Sequence, residues 1–459
     1  MHRDNMGLLV DLYQLTMLQA YHTQGMFQPA TFTLFCRRLP ESRNFLLACG
    51  LDDVLSYLEG LHFPLEAVTY LEGLGGFTSE FLEWLSAFRF SGRVRAVPEG
   101  TPVFRDEPIL EIEAPLPEAQ VVETFVMNQI HLQTVLASKA VRVKLAAGDR
   151  AVVDFGIRRM HGADAALKSA RAYHIGGLDA TSNVLAGQVY GVRVTGTMAH
   201  SYIQAHDDEL EAFREFARSF PETTLLVDSY DTLEGVRNVV RLAGELGSDF
   251  RVRAIRLDSG DLGELARGSR RILDEGGLQS VKIFASGGLD EWSVRELGRN
   301  DAPIQGFGVG TGMGVSRDAP SLDLAYKLVE YAGEGRLKLS PGKPILPGAK
   351  QIFRQVEGGQ AVRDIIGREH ERLPGRPLMK VVMENGVRLS ADTGNAGDES
   401  DPSSQVAPAL EAARAMAARE MALLPPRLLE LEAADPPYVV EISHELEAYQ
   451  KTVTRQVKS

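Results

Sequence analysis

Apolar and polar positions change period several times along this chain, and each change marks an element. Between residues 8 and 24 (Leu-Leu-Val-Asp-Leu-Tyr-Gln-Leu-Thr-Met-Leu-Gln-Ala-Tyr-His-Thr-Gln) the apolar positions recur at helical spacing and Gly25 supplies a stop, which predicts an amphipathic helix. Residues 31–37 (Thr-Phe-Thr-Leu-Phe-Cys-Arg) read as a strand, and residues 50–90 carry helical patterns broken by Gly-Leu-Gly-Gly. From Gly92 to Glu113 come short strand signals punctuated by Pro98, Gly100, Pro102 and Pro108, and Val121 to Val143 then reads as one helix.

Short β-branched runs then alternate with helical stretches. Strands are predicted near 151–157, 192–196, 223–228, 252–257, 281–285 and 304–309, with starts about 25 to 40 residues apart, the length of a βαβ unit. Helices fill the gaps from Asp231 to Gly247, Asp261 to Gly276 and Asp290 to Arg299, and each leading aspartate suits a helix N-cap. This order predicts an α/β fold with a parallel (β/α) barrel, whose site collects at the carboxyl ends of the strands. After about residue 335 strands return, residues 390–407 are small and polar like a mobile loop, and Pro408 to Leu431 is helical by composition, interrupted at Pro425-Pro426. The expected organisation is therefore an N-terminal α/β domain over 1–140, a barrel domain carrying the site over 141–332, and a segment over 333–459 whose strands pack on the N-terminal domain ahead of a helical tail.

Composition narrows the setting. A 44% hydrophobic and 24% charged chain of 459 residues is ordinary for a soluble globular protein, and no apolar run approaches the roughly 20 residues of a membrane span. The first ten residues lack the apolar core of a secretory signal, so a cytoplasmic location is expected. With 49 basic against 62 acidic residues the net charge is −13, which opposes non-specific binding to nucleic acid and confines any phosphate affinity to a local site. Cys36 and Cys49 have no metal-ligand spacing and read as small buried hydrophobes.

Five strand ends carry residues suited to phosphate, sugar or carboxylate chemistry. Glycines in Ser286-Gly287-Gly288 and Gly308-Val-Gly310-Thr311-Gly312 let backbone N–H groups turn toward an anion, with plain tight turns as the alternative. Arg256, Asp258 and Asp261 could hold an aromatic ring, ribose hydroxyls or a hydrated magnesium ion, while Asp261 equally suits a helix cap. Asp154-Phe-Gly-Ile-Arg158-Arg159 offers two guanidinium groups, and His200 follows a strand end with Thr197 and Ser201 nearby.

Together, Asp11-Leu-Tyr13-Gln-Leu-Thr-Met, Asp154-Phe-Gly-Ile-Arg158-Arg159, Thr-Ser182-Asn-Val-Leu-Ala-Gly187, Gly-Thr-Met-Ala-His200-Ser, Arg256-Leu-Asp258-Ser-Gly-Asp261 and Lys343-Pro-Ile-Leu-Pro-Gly-Ala-Lys350 resemble the nicotinate phosphoribosyltransferase family from about residue 8 to about residue 385. The resemblance implies an irregular (β/α) barrel of the type II phosphoribosyltransferase kind with a flanking α/β domain. It also implies synthesis of nicotinate mononucleotide and pyrophosphate from nicotinate and phosphoribosyl pyrophosphate, a ligase-type C–N bond formation in NAD biosynthesis. Magnesium and ATP would take part, with ATP hydrolysis coupled through a phosphohistidine.

By the same resemblance His200 is the phosphoacceptor, Arg256 contacts the pyridine ring, and Asp258 lies near ribose and pyrophosphate, with magnesium at Asp258 and Asp261. The loops at Ser286, Gly287 and Gly288 and at Gly310 and Thr311 would take the 5′-phosphate, and Arg158 or Arg159 an anion near nicotinate. Tyr13, with Asp11 beside it, would complete the pyridine site of the other subunit in a homodimer. The nearest rival is the nicotinamide-specific relative, which has an aspartate where this chain aligns Ser182. A carboxamide wants an acceptor for its NH₂, so Ser182 with Arg158 and Arg159 favours a carboxylate. A non-enzymatic phosphometabolite-binding barrel is the rival from another class, and Arg256, Asp258, Asp261 and His200 all being present speaks against it.

Overall fold

The computed structural model describes residues 3–339, 345–389 and 402–458. Lys343 and residues 390–401 of the small polar stretch lie outside the described residues. The chain divides into two compact units. One holds the described residues up to Ser138, those from Ala319 to Ser400 and those from Glu411 onward; the other is Lys139–Asp318 with Asp401–Leu410.

In the first unit the strand Pro29–Cys36 runs antiparallel to Pro108–Pro115 on one side and to Leu324–Tyr331 on the other. Arg93–Ala96 and Lys380–Glu384 extend the same sheet, so distant parts of the chain share it. Because residues 324–331 pair here, the chain leaves the second unit at Asp318, earlier than the boundary at 332 expected from the sequence. The amphipathic N-terminal helix is Leu12–Gln24, closed by Gly25 at φ 66.

A second sheet of this unit, including Lys350–Glu357 and Gln360–Arg368, buries an ion cluster. The Arg354 guanidinium, fully buried, bonds Asp364 at 2.7 Å and Glu420 at 3.2 Å, and the Tyr438 hydroxyl donates to Asp364 at 2.8 Å. Glu107 is equally buried, and burial beside the Asp364 charge pushes its carboxyl well above the usual carboxylate range. The folded state therefore favours protonated Glu107, and its stabilising contribution, complete below the unfolded carboxyl range, is lost as pH rises through the folded pKa. Glu107→Gln, which mimics the protonated acid, is expected to gain stability relative to the unaltered protein on going from pH 5 to pH 8. Thermal melts at both pH values check this, and parallel Tm shifts would contradict it.

The second unit is built on a six-stranded sheet, every pairing in which is parallel, in the spatial order Ala180–Thr181, Ala151–Asp154, Gly306–Val309, Lys282–Ala285, Ala254–Leu257, Thr224–Leu226. It is an α/β arrangement, a curled half of a barrel wall. Gly306 and Gly308 leave room for aromatic rings: a Cβ would meet Phe284 at 2.8 Å or Phe155 at 2.5 Å. Three helices start where the aspartates stand. Asp231, Asp261 and Asp290 accept the N–H groups of Glu234, Glu264 and Ser293 at 2.8, 2.9 and 2.9 Å, each stabilising by about 1 kcal/mol over alanine.

One strand is misplaced by the sequence. The run at 192–196 makes only a single bridge, Val194 to Thr181, and the sheet uses Ala180–Thr181 instead. Gly191 at φ 70 ends the preceding helix next to that run, and Arg193, Val194 and Thr195 are not buried, so the run has no second neighbour to pair with. No helix among the described residues is long and apolar enough to cross a membrane.

Candidate active site

A cavity of about 810 Å³ opens at the carboxyl ends of the parallel strands. Strand Ala254–Leu257 delivers Arg256 and, one residue past its end, Asp258. Arg256 Nη2 donates to the Met198 carbonyl at 3.1 Å, and its guanidinium carbon stands 5.8 Å from the centre of the Phe155 ring. Its Nε is buried with no hydrogen-bond partner among the described residues. Burial lowers the Arg256 pKa from its ordinary value, while the charges of Asp258 and Asp228 work the other way. The side chain lines the cavity, where a guanidinium is suited to a ligand acceptor.

Asp258 is held from both sides. Its N–H donates to the buried Asp228 carboxylate at 2.9 Å, and its Oδ1 accepts Ser286 Oγ–H at 2.5 Å. Its other oxygen stands 3.8 Å from His200 Nε2. His200 opens the helix His200–Gln204, and its Nδ1 is hydrogen-bonded to Ser229 Oγ at 3.0 Å. Arg256, Asp258 and His200 thus face one space, with Thr197 on the loop before the helix.

The glycine corners form a further wall. Ser286, Gly287 and Gly288 follow Lys282–Ala285, and Gly310 and Thr311 follow Gly306–Val309. Gly287 sits at φ 89, and a Cβ there would lie 1.8 Å from the Asp258 carbonyl oxygen, so only glycine fits. Arg158 and Arg159, on the turn Ile157–Arg159, and Ser182, after Ala180–Thr181, line the remaining side.

Three expected site residues are not in this cavity lining. Asp261 is absent from it, its Oδ1 being used to cap the next helix. Tyr13 and Asp11 belong to the first unit. There the Tyr13 hydroxyl donates to Glu123 at 3.2 Å and Asp11 accepts from Thr124 Oγ at 2.7 Å. Partial burial, together with the Glu123 charge, pushes the Tyr13 phenol up to about 12.

For magnesium the donor set is Asp258, whose Oδ2 makes no hydrogen bond among the described residues, while Asp261 is not in the cavity lining. One carboxylate completed by substrate phosphates is how Mg²⁺ is usually held, so Asp258 fits the ion and Asp261 does not.

Residues 8–131 match the nicotinate phosphoribosyltransferase N-terminal domain, and residues 150–368 the nicotinate phosphoribosyltransferase family. A nicotinate phosphoribosyltransferase of Mycobacterium tuberculosis is 51% identical over 442 residues, covering 96% of this chain and 92% of that protein. The chain belongs to the nicotinate phosphoribosyltransferase family. A Bacillus subtilis member is 41% identical over 361 residues, 77% of this chain and 74% of its own length. The crystal structure of human nicotinic acid phosphoribosyltransferase shares the fold with a TM-score of 0.83 at 27% identity, over 96% of this chain and 99% of that one.

Within this family member, several residues the sequence did not single out support the site. Phe155 carries the Arg256 guanidinium, Asp228 anchors the corner at Asp258 and Ser259, and Ser229 touches His200. Their common signal is position: each follows a strand end, as Asp258 and Ser286 do.

Proposed function

We propose that this chain makes nicotinate mononucleotide and pyrophosphate from nicotinate and phosphoribosyl pyrophosphate as a step of NAD synthesis, in the cytoplasm, with ATP hydrolysis coupled through phosphorylation of His200. The observation that carries the reading is the convergence, in one cavity, of the Arg256 guanidinium, Asp258, His200 and two glycine corners. Membership of the family supports the choice of substrates.

The chemistry follows from the groups. Pyridine nitrogen is a weak nucleophile, so the C1′–O bond to pyrophosphate breaks largely before the N–C1′ bond forms, leaving positive charge on the ribose. Asp258, held by Asp228 and Ser286, stabilises that charge without having to reorganise. The N–H groups of Gly287, Gly288, Gly310 and Thr311 hold the 5′-phosphate, while the Ser286 N–H stays on the Leu257 carbonyl, and Arg256 with Arg158 or Arg159 orients the nicotinate carboxylate. Asp258 would hold a magnesium ion alongside the substrate phosphates, and such an ion would supply charge neutralisation for the pyrophosphate leaving group. ATP transfers its γ-phosphoryl group to a His200 ring nitrogen with release of ADP. The added charge, next to the Asp258 carboxylate, biases the loops around the cavity until water removes the phosphoryl group.

Arg256→Ala is expected to lower kcat/KM for nicotinate by roughly 30-fold or more, corresponding to about 2 kcal/mol for a lost charged hydrogen bond. Tm should move little, since the side chain faces the cavity. Steady-state kinetics on the folded variant check this, and unchanged kinetics would contradict it.

The active form is a homodimer in which Tyr13, with Asp11 beside it, closes the pyridine site of the other subunit. Support comes from the exposure of Leu12 and Tyr13, 60% and 49%, at the start of an ordered helix. Mixing Tyr13→Ala with His200→Ala should regenerate one intact site per mixed dimer and restore part of the coupled activity. A monomer by light scattering, or no recovery after verified subunit exchange, would reject the dimer.

A further inference from the structure

Asp154 ends the first strand of the parallel sheet at the cavity side, yet it is 1% exposed and does not line the cavity. All its acceptors are used on neighbours that do line it or lead directly into it. Oδ1 accepts the Gly156 N–H at 2.7 Å, which turns the chain into the Ile157–Arg159 segment carrying Arg158 and Arg159. Oδ2 accepts the Thr181 hydroxyl at 2.7 Å, and the Asp154 carbonyl accepts the Ser182 N–H at 2.9 Å. Thr181, itself 3% exposed, accepts the Asn183 N–H on the same hydroxyl oxygen at 3.1 Å. Asn183 in turn caps the helix Val184–Tyr190.

One buried pair therefore fixes two cavity walls against each other: the arginine turn, and the corner that presents Ser182. Those are the walls that tell a pyridine carboxylate from a pyridine carboxamide, since the guanidinium groups attract a negative charge and Ser182 supplies no carboxylate to accept an amide NH₂. A displacement of either wall by a fraction of an ångström changes how well a planar carboxylate is met, while phosphate and ribose contacts on the glycine corners are left in place. Burial also pushes the Asp154 carboxyl up from its ordinary value, and the hydrogen bonds from Gly156 and Thr181 act against that shift.

We propose that the Asp154–Thr181 pair is the positioning element that sets selectivity for a pyridine carboxylate over its carboxamide, an inference that rests on the nicotinate reading above. Neither residue touches substrate; both act through Arg158, Arg159 and Ser182.

The test is the ratio of kcat/KM for nicotinate to kcat/KM for nicotinamide in Thr181→Val, Thr181→Ser and Asp154→Asn. Valine keeps the volume of threonine but can neither donate to Asp154 nor accept from Asn183. Thr181→Val should lower the ratio about tenfold, the scale of one lost hydrogen bond, with KM for phosphoribosyl pyrophosphate nearly unchanged. Thr181→Ser, which keeps the hydroxyl, should hold the ratio near that of the unaltered protein. If Thr181→Val folds poorly, Asp154→Asn is the deciding variant, because an amide offers one acceptor atom where the carboxylate offers two, and the ratio should again fall. A merely structural role would reduce both pyridines alike, so an unchanged ratio in the folded variants, or a fall in Thr181→Ser equal to that in Thr181→Val, overturns the inference. If the unaltered protein forms no nucleotide from nicotinate, the function reading fails. Calorimetric binding of nicotinate to the unaltered and Thr181→Val proteins then still decides the inference, equal affinity rejecting it.

Discussion

Gly287→Ala is expected to remove about 10²–10³-fold of kcat/KM for phosphoribosyl pyrophosphate, because the new methyl group cannot be accommodated without moving the chain that carries Asp258. Its Cβ would lie 1.8 Å from the Asp258 carbonyl oxygen, and backbone rather than a flexible side chain is the obstacle. The residue also sits at φ 89, where an L side chain is strained by about 1–3 kcal/mol. Both effects push on the same corner, displacing the Asp258 carboxylate and the N–H groups facing the 5′-phosphate. Gly277→Ala is the internal control: φ is 75, no atom lies within 4 Å of its Cβ and it is not in the cavity lining, so a milder strain of about 1–2 kcal/mol is expected with activity largely kept. Kinetics and melting curves of the two variants side by side check the account. Equal losses in both, or near-normal turnover in folded Gly287→Ala, would contradict it.

His200→Ala is expected to carry no acid-labile phosphate after exposure to ATP, and its ATP hydrolysis should fall to background. The imidazole is the nucleophile in the proposed route, and alanine removes the covalent path altogether. Nucleotide synthesis should continue at a reduced, uncoupled rate, because Arg256, Asp258 and the glycine corners stay in place. Little stability should be lost, since the side chain is 39% exposed and its hydrogen bond to Ser229 is made at the cavity edge. Phosphoamino-acid analysis under alkaline conditions, with a parallel ATPase assay, provides the check. A variant that still forms phosphohistidine would remove His200 from its role.

Much of this site is legible in the sequence because parallel strands followed by capped helices are locally encoded. Asp231, Asp261 and Asp290 mark helix starts by their own side-chain chemistry, and the helices that follow fix where the preceding strands must end. Once those ends are known, Arg256, Asp258, His200, Ser286 and Gly310 fall on one rim, and the cavity holds them all. What the sequence conceals is non-local. The two-residue strand Ala180–Thr181 is too short to show a period, and it exists because Asp154 and the bridge from Val194 hold it. Asp228 and Ser229 belong to a strand end with no glycine run or arginine to draw notice, and their contacts cross to Asp258 and His200, about 30 residues on either side. Asp261 has two readings in the sequence, a metal-side carboxylate and a helix cap, and the local need of a helix N-terminus takes its Oδ1. The early return of the chain to the antiparallel sheet at Leu324–Tyr331 likewise depends on a partner strand almost 300 residues away, Pro29–Cys36, which no local pattern announces.

The most direct measurement incubates the purified protein with phosphoribosyl pyrophosphate, magnesium and either nicotinate or nicotinamide, with and without ATP, and identifies the nucleotide formed. Nicotinate mononucleotide and pyrophosphate are the expected products, formed faster with ATP, with far less product from nicotinamide. Preference for nicotinamide, or no consumption of phosphoribosyl pyrophosphate with either pyridine, would contradict the proposed function.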